Sequence, residues 1–343
     1  MTKLRIGIAG YGVVGKRRCQ HIDARDDMEV VAVCDRTFDD RGTLDGRVAR
    51  HQTYDQLLRE NLDALFVCLT NDVAPEVTIA GLRAGLHVFC EKPPGRNVED
   101  IRRVMKAEAE HPELCLKYGF NHRYHESVVD AVEIIRSGQY GKVINMRGVY
   151  GKSKFISFGK GSDWRVDRDV AGGGILLDQG IHMVDLMRLF AGEFTEVKSF
   201  VSNGYWGHDI EDNAYALMRT DQGCVAMLHS TATQWRHRFS LEITLESAGL
   251  ILSGILSGSK SYGAETLTVI YPDEDDLGDP REVTTRYNHD PSWADEIAEF
   301  CDVVSNGRKV VSGNSDDALK SMELVYRIYC ADPEWRDSWQ IEC

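Results

Sequence analysis

The sequence predicts an α/β protein in two parts: a doubly wound parallel sheet, then an α+β unit built on a mostly antiparallel sheet. Three observations carry this. Up to about residue 120, short apolar runs alternate with amphipathic helical segments. Beyond Asn121, strand-like runs follow one another with short turns between them. A chain of 343 residues holds about two domains. Strands that are apolar throughout are buried on both faces, as in a parallel sheet covered by helices. Strands joined by short turns favour antiparallel pairing.

Residues 4–9 form the first strand. Gly10-Tyr11-Gly12-Val13-Val14-Gly15 follows, and 13–24 reads as a helix. The first glycine permits a tight strand-to-helix turn, the second lets the backbone approach a pyrophosphate, and the third lets helix pack on strand. Exposed N–H groups at the helix start then hold the anion. The second strand, 28–34, ends at Asp35. An acidic residue about 20 residues past the glycines is placed for a ribose hydroxyl. Together these predict a Rossmann dinucleotide site, with an ordinary βα turn and a surface aspartate as the alternative. Asp35 favours NAD, because its carboxylate repels a 2′-phosphate; Arg36 beside it could accept one, which keeps NADP as the alternative.

After Asp35 the chain is short and polar, so one crossover helix is expected to shrink to a loop. Helices over 54–61, 73–84 and 98–110 alternate with strands over 64–69, 86–90 and 114–118. A boundary near Asn121 divides the chain into a dinucleotide-binding domain, 1–121, and a substrate-binding and oligomerisation domain, 122–343. The second domain starts with a helix over 126–136, a strand over 143–150 and a long polar loop to Ala171. A helix over 175–190 follows, closed by Gly192, then strands over 196–201, 213–219, 224–232, 240–246 and 266–271. Two helices, 293–305 and 316–330, end the chain, the second behind an Asn314/Ser315 cap. Asp273-Glu274-Asp275-Asp276 reads as a solvated acidic loop.

Net charge is −14, which argues against nucleic-acid and anionic-membrane partners. No stretch of about 20 residues is continuously apolar, and no signal-peptide pattern precedes the first strand. The nine cysteines are scattered without CxxC pairs, so reduced thiols in a cytoplasmic protein are expected, with Cys343 an exposed thiol without a role. Positive charge gathers at Lys152, Lys154, Lys160 and Arg165, against Asp163 and Asp167, and again at Arg236-His237-Arg238. Such a group suits a small anionic substrate or is simply a solvated face.

Two constellations can do chemistry. Glu91-Lys92-Pro93 ends the strand over 86–90. A lysine at this edge of a Rossmann sheet points into the nicotinamide crevice, where its ammonium can stabilise a developing alkoxide; a surface lysine before a rigid turn is the alternative. The second is Gly172-Gly173-Gly174-Ile175-Leu176-Leu177-Asp178-Gln179-Gly180-Ile181-His182-Met183-Val184-Asp185. On one helix Asp178, His182 and Asp185 share a face. Asp178 would then orient the imidazole and support its protonated form, making His182 a general base; a merely structural polar face is the alternative. The glycines would let the backbone approach a ligand. No third ligand at convincing spacing completes a zinc site, so no metal is expected.

In order and spacing, the glycine fingerprint, Glu91-Lys92-Pro93 and the Gly-Gly-Gly-x-x-x-Asp-x-Gly-x-His segment resemble the glucose–fructose oxidoreductase, inositol dehydrogenase and MocA (Gfo/Idh/MocA) family. Trp164-Arg165 and Asn121-His122-Arg123 extend the likeness over nearly the whole chain. It implies a Rossmann domain plus an α+β domain with an open-faced sheet, paired across that sheet into homodimers or homotetramers. It implies a tightly held nicotinamide dinucleotide, and places the family's catalytic lysine, aspartate and histidine on Lys92, Asp178 and His182. Cofactor contacts are expected at Gly10, Gly12, Val13, Val14, Gly15, Asp35, Arg36, Leu69, Thr70, Asn71, Glu91, Lys92 and Asn121. Substrate contacts are expected at Lys92, Arg123, Trp164, Arg165, Asp178, His182 and Trp235, with Trp206 and Trp235 as candidate sugar-stacking surfaces. Two positions depart from the pattern. Leu69-Thr70-Asn71-Asp72-Val73-Ala74 keeps only Asn71 of the usual Thr-Pro-Asn-x-x-His, and Pro94 stands where leucine is frequent. The expected activity is NAD(P)-dependent oxidation of a secondary hydroxyl on a sugar or sugar derivative, preferably phosphorylated or nucleotide-linked. The alternatives are the reverse reduction, an NAD-assisted glycosidase and a non-catalytic dinucleotide-binding regulator.

Overall fold

Apolar strands and interleaved helices assemble into a seven-stranded first sheet. In the computed structural model, which describes residues 3–39, 42–155, 164–257, 262–273 and 278–343, its strands run in the order β3-β4-β2-β1-β5-β6-β7. The elements are β1 (Leu4–Ala9), α1 (Val13–Asp23), β2 (Met28–Cys34), β3 (Gly42–Leu44), β4 (Val48–His51), α2 (Tyr54–Leu57), β5 (Ala64–Val67), α3 (Ala74–Arg83), β6 (His87–Glu91), α4 (Val98–Ala109) and β7 (Leu116–Gly119). All neighbours pair in parallel except β3 and β4. Strand order reverses at β1, and the crevice beyond the carboxyl ends of strands at such a switch point is where ligands bind. β5 is buried throughout and β1 for its last four residues, as strands covered on both faces must be.

Two expectations change here. The segment after Asp35 is not a bare loop but supplies β3 and β4. The helix expected over 54–61 stops at Leu57; Arg59 and Glu60 bond back three residues, to Gln56 and Leu57, and tighten the last turn out of α-geometry.

A 3₁₀ turn (Asn121–Tyr124) leads to the second sheet. Its elements are α5 (Glu126–Arg136), β8 (Val143–Gly151), a 3₁₀ turn (Trp164–Val166), α6 (Arg168–Ala171), a π-helical turn (Leu176–Gly180), α7 (Ile181–Ala191), β9 (Phe194–Ser202), β10 (Asn213–Thr220), β11 (Val225–Thr231), β12 (Arg238–Leu245), β13 (Gly249–Ser253), β14 (Glu265–Ile270) and β15 (Glu282–Tyr287). Three helices close the chain: α8 (Ser292–Asn306), α9 (Ser315–Ala331) and α10 (Pro333–Trp339). The sheet order is β15-β14-β13-β12-β8-β11-β10-β9, antiparallel except for β8 with β11. On β10, Ala214, Ala216 and Met218 face the core, while Tyr215 and Leu217 face outward. Asn314 caps α9 by accepting from the Asp317 N–H. β13, β15 and α10 are elements that sequence reading did not find.

α8 returns to the first sheet. Phe300 meets Phe66 and Phe89 edge-on, at 5.5 and 5.7 Å between ring centroids. Buried Arg18 on α1 joins Glu91 of β6 (2.6 Å) to Glu296 of α8 (2.7 Å). The last third of the chain therefore supports the strand end that carries Lys92.

Cys330 and Cys343 form a disulfide, which corrects the expectation of reduced thiols throughout and of a functionless Cys343. Lys160 and Asp163 of the basic loop, and Glu274, Asp275 and Asp276 of the acidic run, lie outside the described residues. Among the described residues, no helix is long and apolar enough to cross a membrane.

Candidate active site

A cleft of about 1270 Å³ lies between the carboxyl edge of the first sheet and the second domain. Gly10, Gly12, Val13 and Val14 line one end of it. Gly10 has φ +91°, and a Cβ there would lie 2.2 Å from the Cys68 carbonyl oxygen. A Cβ on Gly15 would lie 1.9 Å from the Gly10 carbonyl oxygen, so this glycine packs helix on strand and does not reach the cleft. Gly12 has open space beside it, and α1 starts without a side-chain cap, so its first N–H groups are left for a ligand. Asp35 is fixed at this end: Oδ2 accepts from the Tyr11 N–H (3.0 Å), and Oδ1 from the N–H and hydroxyl of Thr37 (3.0 and 2.7 Å). Arg36 also lines the cleft. An open glycine cradle, uncapped N–H groups and an anchored carboxylate fit a nicotinamide dinucleotide.

Leu69, Thr70, Asn71, Glu91, Lys92 and Asn121 continue the wall. Some are held by the protein itself. Asn71 donates to the Ala171 carbonyl (2.8 Å), tying the two domains together. Glu91 pairs with Arg18, and Asn121 donates to the Ser292 hydroxyl (3.1 Å).

Lys92 leaves β6 through a cis peptide to Pro93. Its ammonium donates to the Asp178 carbonyl (2.5 Å) and lies 3.9 Å from Oδ1 of the same residue. Burial lowers the ammonium's pKa, opposed by Asp178 and Glu91. Arg165 stands 3.7 Å from Asp178 Oδ1, its guanidinium over the Trp164 ring at 4.3 Å. Burial alone would raise the Asp178 pKa; Lys92, Arg165 and Lys152 outweigh it and keep the carboxylate ionised.

The triple glycine does not approach a ligand. Added Cβ atoms would meet the Arg96 carbonyl oxygen at Gly172 (2.3 Å), the Tyr329 hydroxyl at Gly173 (2.5 Å) and the Glu211 carbonyl oxygen at Gly174 (2.1 Å). Buried Glu211 accepts from the N–H groups of Gly174 and Leu176 (2.7 and 2.9 Å) and from the Tyr329 hydroxyl (2.8 Å). This pins the π-turn, which inserts extra backbone before α7. Asp178, His182 and Asp185 therefore do not share a face.

Three corrections follow. Asp178 makes no bond to His182; it faces Lys92, Arg165 and Gln179. His182 does not favour its protonated form: burial first, then His122, Lys92, His125 and Lys152, hold its pKa well below the ordinary histidine value. Asp185 pairs with Arg123 (2.6 Å), which also pairs with Asp317 (2.8 Å); this buried clamp, and with it Arg123, does not line the cleft where a substrate contact was expected. Trp235 is also displaced, 67 % exposed and packed on Tyr205 and Trp206 outside the cleft.

His122, His125, Tyr150, Lys152, His237 and Tyr262 line the substrate end; none was expected as a site residue, although His122 lies in the Asn121-His122-Arg123 segment and Lys152 and His237 in the basic groups. Lys152 had a signal, as part of the basic run. Its side chain is 7 % exposed, with the ammonium 5.0 Å over the Tyr262 ring. Burial lowers its pKa to about 8, opposed by Asp178 and reinforced by Lys92 and Arg165. Among the described residues, no group of three or more His, Cys, Asp and Glu side chains is placed to hold a metal ion.

Comparison with known proteins agrees with this geometry. Residues 4–120 match the profile of the oxidoreductase family with an NAD-binding Rossmann fold, and residues 128–251 match the Gfo/Idh/MocA C-terminal domain. Myo-inositol 2-dehydrogenase of Thermotoga maritima is 26% identical over 336 residues, covering 94% of each chain. D-glucoside 3-dehydrogenase of Escherichia coli is 30% identical over 216 residues, covering 60% of this chain and 58% of its own. The structure of levoglucosan dehydrogenase with NADH superimposes with a TM-score of 0.83 at 19% identity, covering 97% of this chain and 98% of the other. The chain belongs to the Gfo/Idh/MocA family of NAD(P)-dependent oxidoreductases.

Proposed function

We propose that this protein oxidises a secondary hydroxyl of a sugar or sugar derivative, with NAD as the hydride acceptor. The observation that carries the reading is the meeting of Lys92 and His182, from different domains, in the wall of one cleft. Lys92 spends one donor on the Asp178 carbonyl; an ammonium has three, so others remain for the substrate oxygen. His182, kept uncharged by burial and its cationic neighbours, can take the hydroxyl proton. Asp178 offsets part of the positive charge and sets the position of Lys92 through its backbone. The bound dinucleotide supplies the hydride acceptor; the alcohol loses one hydride and one proton and becomes a ketone. Asp35 supports NAD over NADP.

Among sugars, the preferred substrate is phosphorylated or nucleotide-linked. Lys92, Lys152, Lys154 and Arg165 stand in the wall, with the Asp178 carboxylate acting on Lys92, Lys152 and Arg165. An anionic substrate would pair with the ammonium groups of Lys152 and Lys154, which a neutral sugar can only hydrogen-bond. The outer face of the second sheet supports a homodimer or homotetramer, and seven free cysteines support a cytoplasmic setting.

The test is a panel of sugars, sugar phosphates, nucleotide sugars and cyclitols with NAD and, separately, NADP, followed by absorbance of the reduced nicotinamide. Turnover with a charged sugar and NAD is expected. Release of free sugar without net reduction would point to a glycosidase, and no turnover with any member would overturn the reading.

A further inference from the structure

Among the described residues, His182 is held without any side-chain hydrogen bond, and its Nδ1 is buried without a partner. What orients it is a ring. The His122 imidazole lies parallel to it, with centroids 3.7 Å apart and planes 10° apart. His122 itself is clamped, and its bonding direction can be followed from one end. The Ser292 hydroxyl donates to Asp290 Oδ1 (2.6 Å). The Ser292 oxygen then accepts from Asn121 Nδ2 (3.1 Å). This turns Asn121 Oδ1 toward His122 Nδ1 (3.2 Å), and an amide oxygen only accepts, so Nδ1 carries the hydrogen. In the neutral ring Nε2 is the acceptor, taking the Tyr150 hydroxyl at 3.1 Å.

We propose that His122 is the positioning residue for the catalytic base: clamped at both nitrogens, it is a flat neutral platform that fixes the plane of His182 and resists a second charge at stacking distance. The proposal rests on the reading of His182 as the base. The charged and titratable groups around the pair are Lys92, Lys152, Asp178, His125 and Tyr150. His125 packs edge-on against His122 at 5.4 Å and is paired with Glu265 (2.8 Å). Asp178 is taken up by Lys92, Arg165 and Gln179. No carboxylate is therefore bonded to either ring, and burial followed by the cationic neighbours keeps both well below the ordinary histidine range.

The test compares His122→Ala with His122→Phe in the full-length protein, using a substrate found in the panel. A lost platform lets the base wander by about an ångström, so His122→Ala should lower kcat about 100-fold with little change in KM. His122→Phe keeps the ring and should recover most of that loss. Equal losses in both variants would overturn the proposal, as would full activity of His122→Ala. If neither variant folds, ¹⁵N resonances of histidine-labelled wild-type protein decide. A neutral Nδ1–H ring at His122 near pH 7 is expected, and a charged ring or the other tautomer overturns the proposal. That measurement needs no turnover, so it separates failure of this proposal from failure of the dehydrogenase reading, which variants at Lys92 and His182 would show.

Discussion

Lys92, Asp178 and His182 could be read from the chain because each sits in a short motif whose spacing carries chemistry. His122 and Lys152 could not, because their roles come from neighbours far along the polypeptide. His122 matters through a ring 60 positions away, and Lys152 through burial at a strand end beside Asp178. Arg123 and Trp235 show the converse: residue type suggested a ligand contact, whereas tertiary partners give the first an internal ion-pair role and leave the second outside the cleft. Lys152 yields a prediction with a definite sign. Its ammonium, with pKa about 8, is charged below that pH and neutral above it. For a phosphorylated sugar, kcat/KM should therefore fall as pH rises through about 8, while a neutral analogue is unaffected by this step. Lys152→Met should cut the preference for the charged sugar about tenfold, the scale of one charge-assisted contact. Paired pH–rate profiles check both statements; a preference untouched by the substitution places the anion contact elsewhere.

At the scale of elements, apolar runs and helical periodicity recovered β1, β2, β5, β6 and β7 because they are largely apolar, and missed the short, more polar β3 and β4. β15 was missed because it is exposed along nearly its whole length and shows no alternation. The helix expected over 175–190 is a π-turn followed by α7, and no periodicity rule announces that break. Its cause is the packing of Gly172, Gly173 and Gly174 on backbone and hydroxyl groups, with Glu211 bonding the turn from outside. Gly174→Ala should therefore act on the site without touching it. Its Cβ would sit 2.1 Å from the Glu211 carbonyl oxygen, which a backbone atom cannot readily yield. A loss of about 1–3 kcal/mol is expected from overpacking, read from the urea midpoint at unchanged slope. A midpoint equal to that of the wild type would show that the turn has slack.

Over the whole molecule, the second sheet carries one face on the core and leaves the other exposed, with apolar side chains on β9, β10 and β11 among charged ones such as Lys198 and the Arg219–Glu196 pair. Phe200 (78 % exposed) pairs in register with Tyr215, and Leu217 with Met227, so apolar side chains continue across β9, β10 and β11. An exposed apolar patch of this kind is the surface that the proposed pairing of two copies would bury. Sedimentation of the wild type should show a dimer or tetramer, and the double substitution of Phe200 and Leu217 by glutamate should give monomers; a monomeric wild type contradicts the assignment. The family likeness suggested this face from the sequence, but the return of α8 to brace Glu91 was legible only in three dimensions, since it joins residues more than 200 positions apart. In the proposed mechanism, groups from two domains act on one hydroxyl. The most direct measurement is the rate of reduced nicotinamide formation in a single turnover by Lys92→Met and His182→Asn, with NAD binding followed separately. Both variants should still bind NAD and, with NAD saturating, lose about 10²–10⁴-fold in rate; undiminished hydride transfer in either would overturn the assignment of Lys92 and His182.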